Sequence, residues 1–222
     1  MPLIAVSRAA HGAMKLRPVT SYAFAAGLSG VRVLASEAAE VQASFPIVFL
    51  KEGDAFQPQA LLGLDGRRNL FVGADGTWQG GYVPAMLRLY PFALGWGGPE
   101  RKDASLLVDE AQLSEQEGEP LFGPDGTEGP VKRALDQLVA FDMLAAETAG
   151  LVAALAAQGL LEPLDGTQER MSTVSEAKLK ALPDEAFLEL RRSGALALAY
   201  AQLFSRGRLG ALRARAVQQA GA

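Results

Sequence analysis

From Pro130 to Gln158 apolar side chains return every three or four residues: Val131, Leu135, Leu138, Phe141, Leu144, Leu151 and Leu155, with Thr148 in the same register. That period is helical. Pro130 suits a first turn, where its missing N–H has no partner to lose. Some 29 residues rising about 1.5 Å each give a rod of roughly 43 Å. So long a helix predicts a bend at Gly150, and Gly159 is placed to stop it. Any sheet must then come from the chain before it. The helical part continues after a loop, Pro163–Thr173, that contains Asp165-Gly166. A short helix spans Ser175–Leu182 with Ser175 as its cap. A second starts at Pro183 and Asp184 and runs to about Phe204. Gly207 breaks it, and Leu209–Gln219 forms a terminal helix.

The first part reads differently. Ser36–Ala43 predicts a short helix capped by Ser36, with Glu37 and Glu40 at its positive end. Short apolar runs follow at Ile47–Leu50, Ala60–Leu64, Leu70–Val72 and Thr77–Val83, with a further one at Leu106–Val108. Asp65-Gly66 and Asp75-Gly76 separate them, and Asp-Gly favours tight hairpins because both residues tolerate positive φ. The runs therefore predict an antiparallel meander. Gly95-Trp96-Gly97-Gly98 reads as a flexible turn. Asp103–Glu128 holds eight acidic residues and no Lys or Arg, and it reads as a long surface connection with little regular structure.

These readings give an α+β fold: a small, mostly antiparallel sheet in the N-terminal half packed against a helical C-terminal half. The chain is expected to form one domain over 1–222, with a β-rich part at 1–110, an acidic connection at 111–129 and a helical part at 130–222. With 222 residues, 49% of them hydrophobic, there is material for a real core.

Several chemistries are closed by residue type. The chain has no cysteine, so thiol nucleophiles, disulfides and zinc–thiolate sites are excluded. His11 is the one histidine, which rules out a His cluster, and no G-x-S-x-G elbow accompanies it; it reads as a surface or turn-anchoring residue. No phosphate-loop signature is present. No metal or cofactor is implied, and catalysis is neither indicated nor excluded. The net charge of −4 argues against a dedicated nucleic-acid binder. The N-terminus, with an apolar run only from Pro2 to Val6, does not read as a signal peptide, and no stretch reads as a membrane span; Met143–Leu161 comes closest. The cytoplasm is the default, with export by a route lacking a cleaved signal left open.

The densest chemical mixture is Asn69–Phe92. Asn69, Trp78, Tyr82, Arg88 and Tyr90 form the candidate ligand- or partner-binding set. Trp and Tyr join flat apolar faces to polar tips, and an arginine set between Met86-Leu87 and Leu89-Tyr90 asks for a partner or a ligand. The competing reading is a small aromatic core with Pro84 and Pro91 fixing turns. Past Leu190 the chain carries six arginines (Arg191, Arg192, Arg206, Arg208, Arg213 and Arg215) and no acid. That stripe reads as a solvated face, as a complement to the acidic 103–128 segment within the chain or across a dimer, or as a partner site.

The chain resembles the SapC-like family of bacterial proteins. The resemblance rests on elements that follow in order: His11 with Leu16-Arg17, Tyr22-Ala23-Phe24-Ala25, Ser36-Glu37 and Phe45-Pro46-Ile47-Val48-Phe49. It continues through Leu62-Gly63, Asn69-Leu70-Phe71-Val72, Asp75-Gly76-x-Trp78 and the most specific block, Tyr82-Val83-Pro84-Ala85 with Leu87-Arg88-x-Tyr90-Pro91-Phe92. Gly118-Glu119-x-Leu121-Phe122, Asp125-Gly126, Leu160-Leu161 and Leu190-Arg191-Arg192-Ser193-Gly194 complete it. The family pattern usually has a second arginine where Leu89 stands, and often a histidine near Gln202. The resemblance implies a role in surface-layer production or assembly and brings no catalytic residues with it. Two functions are therefore carried forward. One is a non-enzymatic accessory protein acting through a protein partner or as a homo-oligomer. The other is a small-molecule-binding or enzymatic member of a metabolic or uptake operon, with its pocket around Trp78–Tyr90. A concave pocket holding Arg88 favours the second; a flat aromatic patch favours the first.

Overall fold

The computed structural model describes residues 2–97, 103–124, 129–164 and 170–221. It is an α+β protein whose small antiparallel sheets come mainly from the N-terminal half and whose C-terminal half is helical. In chain order the strands are β1 (Leu3–Ala5), β2 (Lys15–Leu16), β3 (Gly30–Arg32), β4 (Ile47–Glu52), β5 (Ala55–Leu61), β6 (Phe92–Gly97), β7 (Asp103–Asp109), β8 (Leu113–Ser114), β9 (Glu119–Pro120), β10 (Leu161–Pro163) and β11 (Met171–Val174). The helices are α1 (Arg8–His11), α2 (Ala38–Ser44), α3 (Ala85–Arg88), α4 (Pro130–Ala157), α5 (Glu176–Lys180), α6 (Asp184–Ser193), α7 (Ala195–Ser205) and α8 (Arg208–Ala220). They build two compact units interleaved in sequence: Met1–Thr20 with Leu87–Asp142, and Ser21–Met86 with Met143–Ala222.

In the first unit, β1, β7 and β6 form an antiparallel sheet in that order, and β8, β2 and β9 form a second, smaller one. Val108 and Leu121 are fully buried, and Phe92, Leu113, Ala134 and Leu138 close around them. The acidic stretch expected to be an irregular surface connection is thus ordered for most of its described length. Its apolar members, Leu106, Val108, Leu113 and Leu121, turn inward while Glu110, Glu115 and Glu117 stay in solvent. The charges obscured that alternation. Gly95 and Trp96 lie in strand β6 rather than in a flexible turn, and a side chain at Gly95 would meet Leu107 at 2.9 Å. Gly98 and Pro99 lie outside the described residues, as do the Asp-Gly pairs at 125–126 and 165–166.

The second unit is built on a five-stranded antiparallel sheet ordered β10-β11-β4-β5-β3. Its centre is the β4–β5 hairpin, from Ile47 opposite Ala60 to Glu52 opposite Ala55. The sequence reading placed the second strand at Ala60–Leu64, too late, because Pro58 argues against a strand. Pro58 nonetheless pairs with Phe49, and its carbonyl accepts the Val33 N–H at 2.9 Å. Expected strands at Leu70–Val72 and Thr77–Val83 reduce to one bridge, Val72 to Trp78. The Pro163–Thr173 loop instead carries the β10–β11 hairpin. Helix α7 lies against α2, β4 and β11. There the buried Gln202 donates to the Ile47 carbonyl (3.2 Å) and Thr173 Oγ1 (2.7 Å) and accepts from Val174 N–H (3.0 Å). The single helix expected from Pro183 to Phe204 is two, since Gly194 sits at φ +91°, where a side chain is strained.

Helix α4 runs unbroken through Gly150. By length and composition it alone among the described residues could cross a membrane; only 28% of its most apolar window is buried. Leu135, Val139, Met143 and Leu144 are all exposed on it.

Candidate functional site

The structure divides the five candidate residues between the two units. Asn69, Trp78 and Tyr82 belong to the second unit; Arg88 and Tyr90 belong to the first.

In the second unit the aromatic residues form an internal cluster. Trp78 packs on Tyr22, Phe45 and Phe71 with ring centroids 5.4, 6.1 and 6.1 Å away, and Phe45 meets Phe71 edge-on at 4.8 Å. The Trp78 indole N–H donates to the Tyr82 carbonyl at 2.9 Å. Asn69 is buried; it donates to the Ala25 carbonyl and accepts the Phe71 N–H, so it fixes backbone. The Asp75-Gly76 turn closes the loop. The Asp75 carboxylate accepts from the N–H and hydroxyl of Thr77, which hold it below the usual carboxylate range. At Gly76, with φ +80°, an added Cβ would overlap Ser21 Oγ.

Two residues that the sequence reading did not assign to this cluster hold it. Arg215, from α8, lays its guanidinium 4.8 Å over Phe71 and donates to the Leu70 carbonyl (2.6 Å) and to Gln79. The sequence reading gives Glu37 only a place at the positive end of a helix. It is buried, accepting from Leu34 N–H (3.1 Å), the Tyr82 hydroxyl (2.9 Å) and Ala85 N–H (2.7 Å). A 3₁₀ turn over Ala35–Glu37 precedes α2, so Ser36 does not cap it; Glu37 stands at the N-cap position without a side-chain cap bond, and its carboxylate reaches back to Leu34 N–H.

The first unit contains an open cleft of about 500 Å³. Arg17 reaches it from the end of β2, Arg88 from the end of α3, and Arg133 and Glu119 from α4 and β9. Leu16, Val19, Leu89, Pro91, Phe92 and Ala134 give it an apolar wall. The lining holds three guanidinium groups and one carboxylate, and that carboxylate, Glu119, pairs with Arg133 at 2.6 Å. The lining therefore carries net positive charge, and guanidinium forks match the two-oxygen geometry of carboxylates and phosphates. Arg17 is held by its backbone N–H to the Gln112 carbonyl (2.9 Å) and by its side chain to the Ala111 carbonyl (3.3 Å). Tyr90 donates its hydroxyl to Asp109 at 2.7 Å. Burial first, and then the Asp109 carboxylate, push the phenol up to about 12. Asp109 is itself fully buried and also accepts the Ala111 N–H at 3.1 Å.

Arg17, Arg133 and Glu119 were not singled out as site residues, because 71 residues separate Arg17 from Arg88 and no local period links them. His11 anchors a turn, accepting or donating at Ser7. Among the described residues no cluster of three or more His, Cys, Asp or Glu could hold a metal ion.

The fold and cleft define an α+β protein with an arginine-rimmed, partly apolar recess. The model of the SapC family matches residues 6–212, and the chain belongs to that family. No curated protein and no solved structure matches it.

Proposed function

We propose that this SapC family member binds a small organic anion in the cleft of its first unit. The cleft carries the reading: Arg17, Arg88 and Arg133 line it with the single carboxylate of Glu119, beside an apolar wall, in a volume of about 500 Å³. That volume falls within the range of roughly 300–1,000 Å³ usual for small-molecule sites. The ligand class that fits is a carboxylate or phosphate attached to an apolar body. Tyr90, neutral at ordinary pH, supplies a rigid wall rather than a charge.

The test is native mass spectrometry of gently purified protein, followed by calorimetric titration with the anion found. Arg88→Ala should weaken binding at least about tenfold, the scale of one lost charge-assisted hydrogen bond. It should leave the protein folded at the temperature of the titration. A variant that melts early, or one that binds as well as the parent, sinks the reading.

A second reading has its own support. An accessory role in surface-layer production or assembly, which the family implies, would work through protein contacts. The exposed Met143 and Val139 on α4 favour it, since apolar residues grouped on one helix commonly mark contact surfaces.

A further inference from the structure

Among the charged groups of the cleft lining, Glu119 is the one anion. The backbone beneath it is closely held. Glu119 lies opposite Leu16, and Pro120 opposite Lys15, in the β9–β2 pair. At Gly118, with φ +113°, an added Cβ would stand 2.1 Å from the Leu16 carbonyl oxygen, so the chain enters β9 in direct contact with β2. The Leu121 N–H then donates to the Met14 carbonyl at 2.9 Å, and the Leu121 carbonyl accepts the Val131 N–H from α4 at 3.3 Å. Arg133 sits in the first turn of that helix, with its N–H donating to the Gly129 carbonyl at 3.1 Å. Strand and helix thus bring a carboxylate and a guanidinium together at 2.6 Å. The side chains themselves are held far less tightly, Glu119 being 53% and Arg133 56% exposed.

An ion pair with both partners half in water adds little to stability, because solvent competes for each charge. Inside an anion site the same pair has a second effect. The Glu119 carboxylate already engages a guanidinium that an incoming anion would use, at the distance of a charge-assisted hydrogen bond. An anion entering at Arg133 must exchange with it. A small anion such as acetate recovers there what Glu119 gives up and little more. An anion with an apolar body also buries that body on Leu16, Leu89 and Phe92. The displacement of Glu119 opposes every anion alike, and only those with such a body outweigh it.

We infer, on the reading of the cleft as an anion site, that Glu119 is its internal counter-ion: it holds Arg133 before a ligand enters and yields that guanidinium to the ligand's anionic group. Glu119 is then a specificity-determining residue. It screens out small anions and admits those attached to an apolar body.

Calorimetric titration of the full chain with octanoate and with acetate tests this. The parent should bind octanoate and give no heat of binding with acetate over the same concentrations. Glu119→Gln should bind octanoate about tenfold more tightly, the scale of one charge-assisted hydrogen bond no longer competed for. That gain should vanish when Arg133→Gln is added. Glu117→Gln removes the same charge from an exposed position two residues away and should change binding less than about twofold. Circular dichroism should be the same for all of these variants. Octanoate binding by the parent that is unchanged or weaker in Glu119→Gln overturns the inference and leaves the cleft reading standing. A gain of equal size in Glu117→Gln, or one that survives Arg133→Gln, overturns it too, because Glu119 would then act only as a distant charge. Acetate bound by the parent as tightly as octanoate removes the screening role. If neither the parent nor Glu119→Gln binds octanoate, the cleft reading falls and the inference falls with it.

Discussion

The two units use the same materials, aromatic rings and arginine, to opposite ends. In the second unit Arg215 lies over Phe71 and donates inward to Leu70 and Gln79, so the guanidinium completes a packed cluster. In the first unit Arg17, Arg88 and Arg133 border an open cleft beside Pro91 and Phe92. The difference lies in what surrounds the charge. Arg215 finds carbonyls and a ring face supplied by its own unit. The cleft lining holds three guanidinium groups to one carboxylate, so its net charge suits an incoming anion. Composition alone does not separate a clamp from a recess; what packs around the guanidinium groups does.

That contrast can be broken most forcefully at Phe45, which is fully buried at the centre of the cluster. Phe45→Ala should destabilise the protein by about 3–5 kcal/mol, read as a loss in urea-unfolding free energy. A loss well below that range would mean that the cluster collapses onto the cavity and is not closely packed.

A smaller effect is expected at Arg215. Replacing it with Ala removes hydrogen bonds from a charged donor and a ring contact, and about 2 kcal/mol should be lost. Arg88→Ala in the cleft should cost less than the loss at Arg215, because Arg88 is exposed. Equal losses at the two arginines would erase the distinction between the units.

The last prediction concerns pH. The Tyr90 phenol is raised from 10 to about 12, so the fold favours its neutral form. That contribution is fully present below pH 10 and disappears as pH climbs through 12. Ultraviolet absorbance titration should therefore show one of the four tyrosines ionising late. Tyr90→Phe should remove that step and flatten the stability profile between pH 10 and 12. A parent protein whose tyrosines all titrate near 10 would remove Asp109 and burial as an influence on the cleft wall.

Helices were the most legible part of this chain. The three-and-four spacing from Val131 to Leu155 needs only neighbouring residues, and it located α4 almost to its ends. The strands were harder. Pro58 hid β5, glycines hid β6, and glutamates hid the inward-facing Leu113 and Leu121. In each case a residue's local preference pointed one way, and pairing with a distant partner decided the other.

The same division holds for the site. Residue types alone excluded thiol and histidine-cluster chemistry, and they marked Arg88 and Tyr90 as positions whose polar groups require company. They also grouped those two with Asn69, Trp78 and Tyr82, which are their neighbours in sequence. Only the tertiary structure assigned the first pair to a cleft and the other three to a packed cluster. The physical reason is that burial and charge balance are properties of what comes to lie nearby. Glu37 has three donors and almost no solvent because Tyr82 and Ala85 fold over it. Arg17 meets the cleft of Arg88 because β2 is sandwiched between β8 and β9. Neither neighbour can be read from the residues beside them in the chain.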